Sequence, residues 1–381
     1  MFVSEALGLS RHASKTLEEK NILREAFIPH HFFSDIIEAL RFDRKFGDIE
    51  EGTVVAKTIN GVRTVRGFPK IRRALTLYPS IRKHFDREVA IEEKMNGYNI
   101  RIAKLGKNLY AFTRRGYICP YTTEKVRKKE EMVDFFRDFS NFVLCCEAVG
   151  EESPFVPKKI YGIRELDFFV FDVREIETSN PLKIDEKLRL CEEYGIKHVP
   201  FFGIYESRNA HETVRELICR LGRDGREGVV MKDPEMKIEP LKYTTSETNA
   251  GDLSYAFRFF NEYGKDFMFS RIVREGFQSF EFAENEEEFR KRCLRLGMSI
   301  LRPMIESIKD VSSGEWVSEK IKLRFDDIEV LELFLKHLRK MGVDFRVRSI
   351  VKREKGAVLY FERIMRSTTD KIKAHLEGQP W

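Results

Sequence analysis

Glutamine is nearly absent: of 381 residues, only Gln278 and Gln379 carry that side chain. Charged residues reach 34%. This bias matches chains from hot environments, where thermolabile amides are scarce and ion-pair networks dense. No apolar run approaches the roughly 18 residues that a spanning helix needs. The segment MFVSEALGLSRHASKTLEEK lacks a signal peptide's apolar core and cleavage site. The six cysteines include no C-x-x-C pair, which argues against zinc and for a cytoplasmic chain with reduced, mostly core thiols. Internal repeats and low-complexity segments are missing. With 42% hydrophobic residues the chain is neither a membrane protein nor a disordered one. A net charge of +6 is compatible with a nucleic-acid partner and establishes none.

The length suits two to three domains at ~150 residues each, but changes in periodicity divide it into four units, 1–65, 66–244, 245–315 and 316–381. The first reads as a small α+β module. Its residues 14–27 have a polar helical pattern, and Phe32, Ile36, Ile37 and Leu40 in HHFFSDIIEALRF fall at helical spacing. Asn60-Gly61 between two β-branched runs then marks a hairpin, because a type I′ turn needs two residues tolerant of positive φ. The second unit is rich in short strands (EVAIEEK, NIRIAKL, NLYAFT, NFVLCCEAV, LDFFVFDV, EGVVMK, EPLKYTT) with helices between them. This predicts an α+β domain on antiparallel sheets. The third is helical and rich in phenylalanine: Leu253, Phe257, Phe260 and Tyr263 recur at i, i+4, i+7 and i+10. Such a face is either an intrachain core or one that needs a partner. The fourth combines a helix over 326–340 with a hairpin turning at KREKG, and Ser367 with Asp370 resembles a capping box.

One turn stands out. In IEEKMNGYNIRI, Lys94 ends a strand, Asn96-Gly97 turns, and a second strand begins at once. Gly97 would let a ligand approach the backbone while Lys94 presents its amine. K-x-x-G by itself is weak, and Lys159 to Gly162 repeats it. An ordered series of residues downstream sets Lys94 apart: Arg114 in TRRG twenty residues on, Glu147 at the end of NFVLCC, Phe169 and Phe171 on one face of a strand, Glu227 to Lys232, and Lys242 fifteen residues after Glu227. Each apolar strand ends in a polar group, so these side chains can converge on one pocket.

This ordered set resembles the covalent nucleotidyltransferases, that is, ATP-dependent DNA and RNA ligases and GTP-using mRNA capping enzymes. Lys94 to Gly97 is similar to motif I, Arg114 to motif Ia, Glu147 to motif III, Phe169 and Phe171 to motif IIIa, Glu227 to Lys232 to motif IV, and Lys242 to motif V. Lys242 leads into an aromatic helical segment rather than an OB-fold with a basic motif. That arrangement resembles the archaeal homodimeric ATP-dependent RNA ligases, whose order is N-terminal module, ATP-grasp-like nucleotidyltransferase domain, helical dimerisation domain and C-terminal α+β domain.

The resemblance implies chemistry and roles. Lys94 would attack the ATP α-phosphate, expel pyrophosphate and hold AMP covalently. A free lysine has a pKa of ~10.4, so neighbouring cations, Lys232 and Lys242, are expected to depress that of Lys94 and to stabilise the transition state. Magnesium (or manganese) would sit near Glu227 and Glu147. Glu147 and Arg114 would contact ribose, and Phe169 or Phe171, with Phe171 favoured, would stack on adenine. Glu92 would read the adenine amino group, Asn96, Gly97 and Asn99 would also contact the nucleotide, and Glu227 would serve both catalysis and nucleotide binding. Asn99 and Arg114 would serve the RNA 5′-phosphate. The partner expected is RNA with 5′-phosphate and 3′-hydroxyl ends, joined by a homodimer away from any membrane. A DNA ligase, a GTP-using capping-type enzyme and a non-catalytic nucleic-acid-binding protein on the same fold remain the alternatives.

Overall fold

A computed structural model describes residues 2–380 of the chain. The N-terminal unit holds α1 (Phe2–Ala6), α2 (Arg11–Glu19), β1 (Leu23–Glu25), β2 (Ile36–Phe42), β3 (Val54–Thr58) and β4 (Gly61–Val65), with its strands in the order β1-β2-β3-β4. The hairpin at Asn60-Gly61 forms as the sequence predicts, with Thr58 opposite Gly61. Two helical expectations fail here. Residues 36–42 form a strand, preceded by a single 3-10 turn at His31–Phe33. The first helix over 14–27 starts earlier and stops at Glu19. In β2, Ile36, Ala39 and Phe42 are buried. A bulge between Ile36 and Glu38 breaks strict alternation and mimics a helical spacing of apolar residues.

The middle unit runs β5 (Arg72–Arg73), α3 (Tyr78–His84), β6 (Glu88–Lys94), β7 (Tyr98–Leu105), β8 (Asn108–Thr113), α4 (Pro120–Val126), α5 (Glu130–Asp138), β9 (Phe142–Val149), β10 (Asp167–Glu175), α6 (Ile184–Glu193), β11 (Phe201–Glu206), α7 (Ala210–Arg223), β12 (Gly228–Lys232) and β13 (Leu241–Thr244). Its strands form two sheets, β10-β9-β7-β8 and β11-β6-β12-β13-β5. Every pairing is antiparallel except β13 with β5. The expected α+β architecture is therefore present. The N-terminal sheet packs on β7 and β8 through Phe33, Ala103, Leu105 and Phe112. The Asp35 carboxylate clamps the joint, accepting from the amides of Lys107 and Asn108 and from the Tyr110 hydroxyl.

Three helices come next: α8 (Ser246–Arg258), α9 (Lys265–Glu281) and α10 (Glu286–Ser312). The chain closes with β14 (Ser318–Phe325), α11 (Ile328–Lys340), β15 (Phe345–Lys352), β16 (Ala357–Ile364) and α12 (Arg366–Leu376), its strands ordered β14-β16-β15. The predicted hairpin over 345–364 forms. Ser367 is no helix cap, because α12 starts one residue earlier, and its hydroxyl accepts from Asn261 Nδ2 at 2.6 Å instead. The inner face of this sheet, with Leu323, Phe325 and Phe361, joins the same core as Tyr121 and Phe135 of the middle unit. Among the described residues no helix is long and apolar enough to cross a membrane.

Candidate active site

The geometry starts from strand register. Gly228 lies opposite Lys94, and Val230 lies opposite both Glu92 and Lys242. Lys242 in turn pairs with Arg73 across the parallel β13–β5 contact. Directly opposed residues share a sheet face, and residues two apart along a strand do so as well. Glu92, Lys94, Lys232, Lys242 and Arg73 therefore project from one face. The turn Met95–Gly97 carries the chain from this sheet into the other, where Glu147 on β9 stands opposite Asn99 on β7.

The cleft between the sheets encloses about 420 Å³, within the range of small-molecule sites. Glu92, Lys94, Gly97, Asn99, Arg114, Glu147, Phe171, Lys232 and Lys242 line it, whereas Asn96, Phe169 and Glu227 are not among its lining residues. Lys94 Nζ pairs with Glu227 Oε1 at 2.8 Å, and both side chains are largely buried. The Gly97 amide donates to Glu147 Oε1 at 3.1 Å, and the Asn96 amide donates to the Tyr161 hydroxyl at 2.6 Å. Asn99 Oδ1 is buried in the wall with no hydrogen-bond donor among the described residues.

Gly97 also has a reason within the chain itself. A Cβ there would meet Ala148 O at 2.3 Å and Val149 Cγ2 at 2.9 Å, so it is the chain's own β9 that needs the close approach. Phe169 and Phe171 also separate. Phe171 is the extra residue of a bulge between Val170 and Asp172, and bulges re-aim side chains. It faces the cleft, edge-on to Phe68 at 5.1 Å. Phe169 packs, as Phe171 also does, against Met95, Val149 and Val199, but it is not among the residues that line the cleft.

The electrostatics depart from expectation. Burial alone would lower the Lys94 pKa, but Glu227 and Glu147 outweigh it and hold the amine above its ordinary value. The cations act elsewhere: burial, with Arg73 and Lys94 nearby, brings Lys242 down to about 7. Burial and the like charge of Glu227 push the Glu147 carboxyl up to about 7, against the pull of Lys94. Lys232 stands away from Lys94. Its ammonium pairs with Glu92 at 2.8 Å and donates to the Phe171 carbonyl.

Sequence reasoning missed several groups. Lys187 of α6 is fully buried and pairs with the same Glu92 carboxylate. One signal was available, since Lys187 sits between Ile184 and Cys191 on the apolar side of its helix. Arg101 is buried on β7 and donates to Arg66 O, Gly52 O and Thr113 O, bracing the loop that carries Arg114. Arg73, which the sequence shows only within the basic run KIRR, stands beside Lys242. Met341, at the end of α11, lines the cleft from the C-terminal unit.

Two family models match, "RNA ligase" over residues 87–244 and "Ligase Pab1020 C-terminal region" over 255–379. A solved archaeal ATP-dependent RNA ligase superposes with a TM-score of 0.92 at 39% identity, covering 100% of this chain and 99% of that one. The chain belongs to the archaeal ATP-dependent RNA ligase family. An uncharacterized protein of Methanocaldococcus jannaschii is 43% identical over 100% of this chain and 96% of its own length. A putative ATP-dependent DNA ligase from Aquifex aeolicus also superposes, with a TM-score of 0.89 at 25% identity, over 98% of this chain and 100% of its own. The likeness to the solved archaeal RNA ligase runs the whole length of the chain, beyond the motif-bearing middle.

Proposed function

We propose that Lys94 is the residue that carries AMP in this ATP-dependent RNA ligase, and that the cleft around it performs all three steps of joining. The observation that supports this most directly is the Lys94–Glu227 contact of 2.8 Å at the edge of a cleft lined by Glu147, Arg114, Lys232 and Lys242. Lys94 Nζ attacks the α-phosphorus, an N–P bond forms, and the bond to pyrophosphate breaks. The ammonium must first give up a proton, and Glu227 Oε1 is the acceptor within reach. Lys242 and Arg114 then face the developing phosphate charge. AMP passes next to an RNA 5′-phosphate held by Arg114 and Asn99. A 3′-hydroxyl displaces AMP in the last step, where positioning and electrostatics supply most of the acceleration. Phe171 stacks on adenine, Glu147 binds ribose, and Glu92 reads the base.

Glu227 and Glu147 form a hard oxygen donor set that fits a magnesium or manganese ion. When bound, that ion supplies neutralisation of phosphate charge. The four units proposed are 1–65, 66–244, 245–315 and 316–381. The third unit exposes Phe269, Phe280, Leu294 and Leu301 on α9 and α10, with Phe280 85% exposed. Apolar exposure on that scale supports a homodimer, which sedimentation at low concentration tests.

Incubation with α-labelled ATP and magnesium, followed by denaturing electrophoresis, tests the central claim. The wild type is expected to carry label and Lys94→Ala none. Equal labelling of the two overturns it. Labelling without joining of 5′-phosphorylated RNA, or preferential joining of DNA, overturns the substrate.

A further inference from the structure

The outer face of the C-terminal sheet sets exposed charged and aromatic side chains around a buried Glu362. Register assigns its rows. Lys320, Glu362 and Arg346 lie side by side across β14, β16 and β15, and Lys322, Tyr360 and Ser349 form the next row. Opposed residues share a face, so cations flank a central tyrosine. Tyr360 is 37% exposed, and Trp316, just before β14, is 36% exposed. Both line a groove of about 1060 Å³ between this sheet and the ends of α8 and α10.

The charges in the groove are unevenly matched. Three of its four acids are neutralised within the chain, Asp310 by Arg258 at 3.0 Å, Glu319 by Arg363, and Glu362 by Arg348 at 2.7 Å, while Glu315 has no ion pair among the described residues. Arg348 reaches Glu362 because it is the extra residue of a bulge between Val347 and Ser349. Among the described residues Lys320, Lys322 and Arg346 have no acidic partner within ion-pair distance. The face thus presents uncompensated positive charge around exposed aromatic rings. That combination suits a polyanion with flat bases, since cations follow phosphates and aromatic rings stack on bases of any sequence.

The position of the face also matters. Met341 lines the catalytic cleft, and β15 begins at Phe345. Arg346, in the first row of the platform, follows Met341 by five residues, a reach of at most ~18 Å, so a short stretch of chain ties the platform to the wall of the cleft.

We propose that this sheet face and groove hold the single-stranded body of the RNA substrate, beyond the end being sealed. Trp316 and Tyr360 stack on bases, and Lys320, Lys322 and Arg346 contact phosphates. This rests on the RNA-joining reading above.

The test uses 5′-phosphorylated single-stranded RNAs of about 8 and about 24 nucleotides, spanning the site sizes of such surfaces. Binding is read by fluorescence anisotropy at several salt concentrations, with labelling by α-labelled ATP on the same preparations. The proteins are wild type, Lys320→Ala with Lys322→Ala, Trp316→Ala, Tyr360→Ala and Tyr360→Phe. The alanine variants are expected to lose about 5- to 50-fold in affinity for the longer RNA and to keep the short-RNA affinity and lysyl-AMP formation. The double lysine variant is also expected to lower the salt slope by about 1.4. Tyr360→Phe, which keeps the ring, is expected to bind as wild type does.

Unchanged long-RNA affinity in all the alanine variants, with melting curves like wild type's, overturns the proposal. A change in sedimentation instead of RNA binding overturns it too, because the face is then a contact between copies of the chain. The RNA-joining reading fails separately, if wild type neither labels nor joins RNA.

Discussion

Lys187 on α6 and Glu92 on β6 form an ion pair in which each side chain is 1% exposed, and Lys232 holds the same carboxylate from β12. Burial works against all three charges, yet the two lysines keep the Glu92 pKa below its ordinary value. Removing one partner of a buried pair costs about 3–5 kcal/mol because it strands the other charge. Lys187→Met leaves Glu92 paired with Lys232, so its loss is expected at or below the low end, about 3 kcal/mol. Glu92→Gln strands two ammonium groups and is expected to cost more than Lys187→Met. Urea unfolding of both variants checks the order, and a larger loss for Lys187→Met contradicts it.

Gly97→Ala is expected to fold but to form lysyl-AMP slowly. Its Cβ would stand 2.3 Å from Ala148 O, so the turn must move, and Lys94 lies three residues before it. A displacement near 1 Å in a reacting group costs about 100-fold. Single-turnover labelling with α-labelled ATP measures the drop, and a rate within about threefold of wild type speaks against this role for the glycine.

Arg101→Met removes the donor that serves two buried carbonyl groups and a part-buried one. An unsatisfied buried acceptor costs about 1–3 kcal/mol, so a loss of at least about 2 kcal/mol is expected. RNA adenylylation should fall further than enzyme adenylylation, because the released loop carries Arg114. Separate assays of the two steps distinguish this from a general loss of stability.

Glu147 and Lys242 together should shape stability against pH. The folded Glu147 pKa, about 7, lies above its ordinary 4.5, so the folded state binds its proton more tightly. Stability from this group is present below about 4.5 and is lost as pH rises toward 7. The folded Lys242 pKa, also about 7, lies below its ordinary 10.5, so its cost is full below 7 and fades as pH rises toward 10.5. The two groups thus contribute a minimum in stability near neutral pH. Thermal melts across pH 5 to 10 are expected to flatten below 7 in Glu147→Gln and above 7 in Lys242→Met. Identical pH profiles for wild type and both variants contradict the assignment.

Much of this molecule could be read before any coordinates. Asn60-Gly61 marked its hairpin because only certain residues tolerate positive φ. Lys94, Arg114, Glu147, Phe171, Glu227, Lys232 and Lys242 end or interrupt apolar strands, so their order along the chain pointed to one pocket. The β2 strand was misread because a bulge imitates helical spacing. The β11 strand and the α7 helix carried signals too weak to be singled out.

By itself, then, the sequence determined the α+β class, the ordered motif residues and the short-range turns, since these depend on neighbours a few positions apart. Only the tertiary structure decided which charges meet. Register across β6, β12 and β13 set Lys94 against Glu227, and it turned Lys232 toward Glu92. Packing of α6 brought in Lys187 from 95 positions away. Electrostatic energy depends on separation in space and on burial, and neither can be read from distance along a chain.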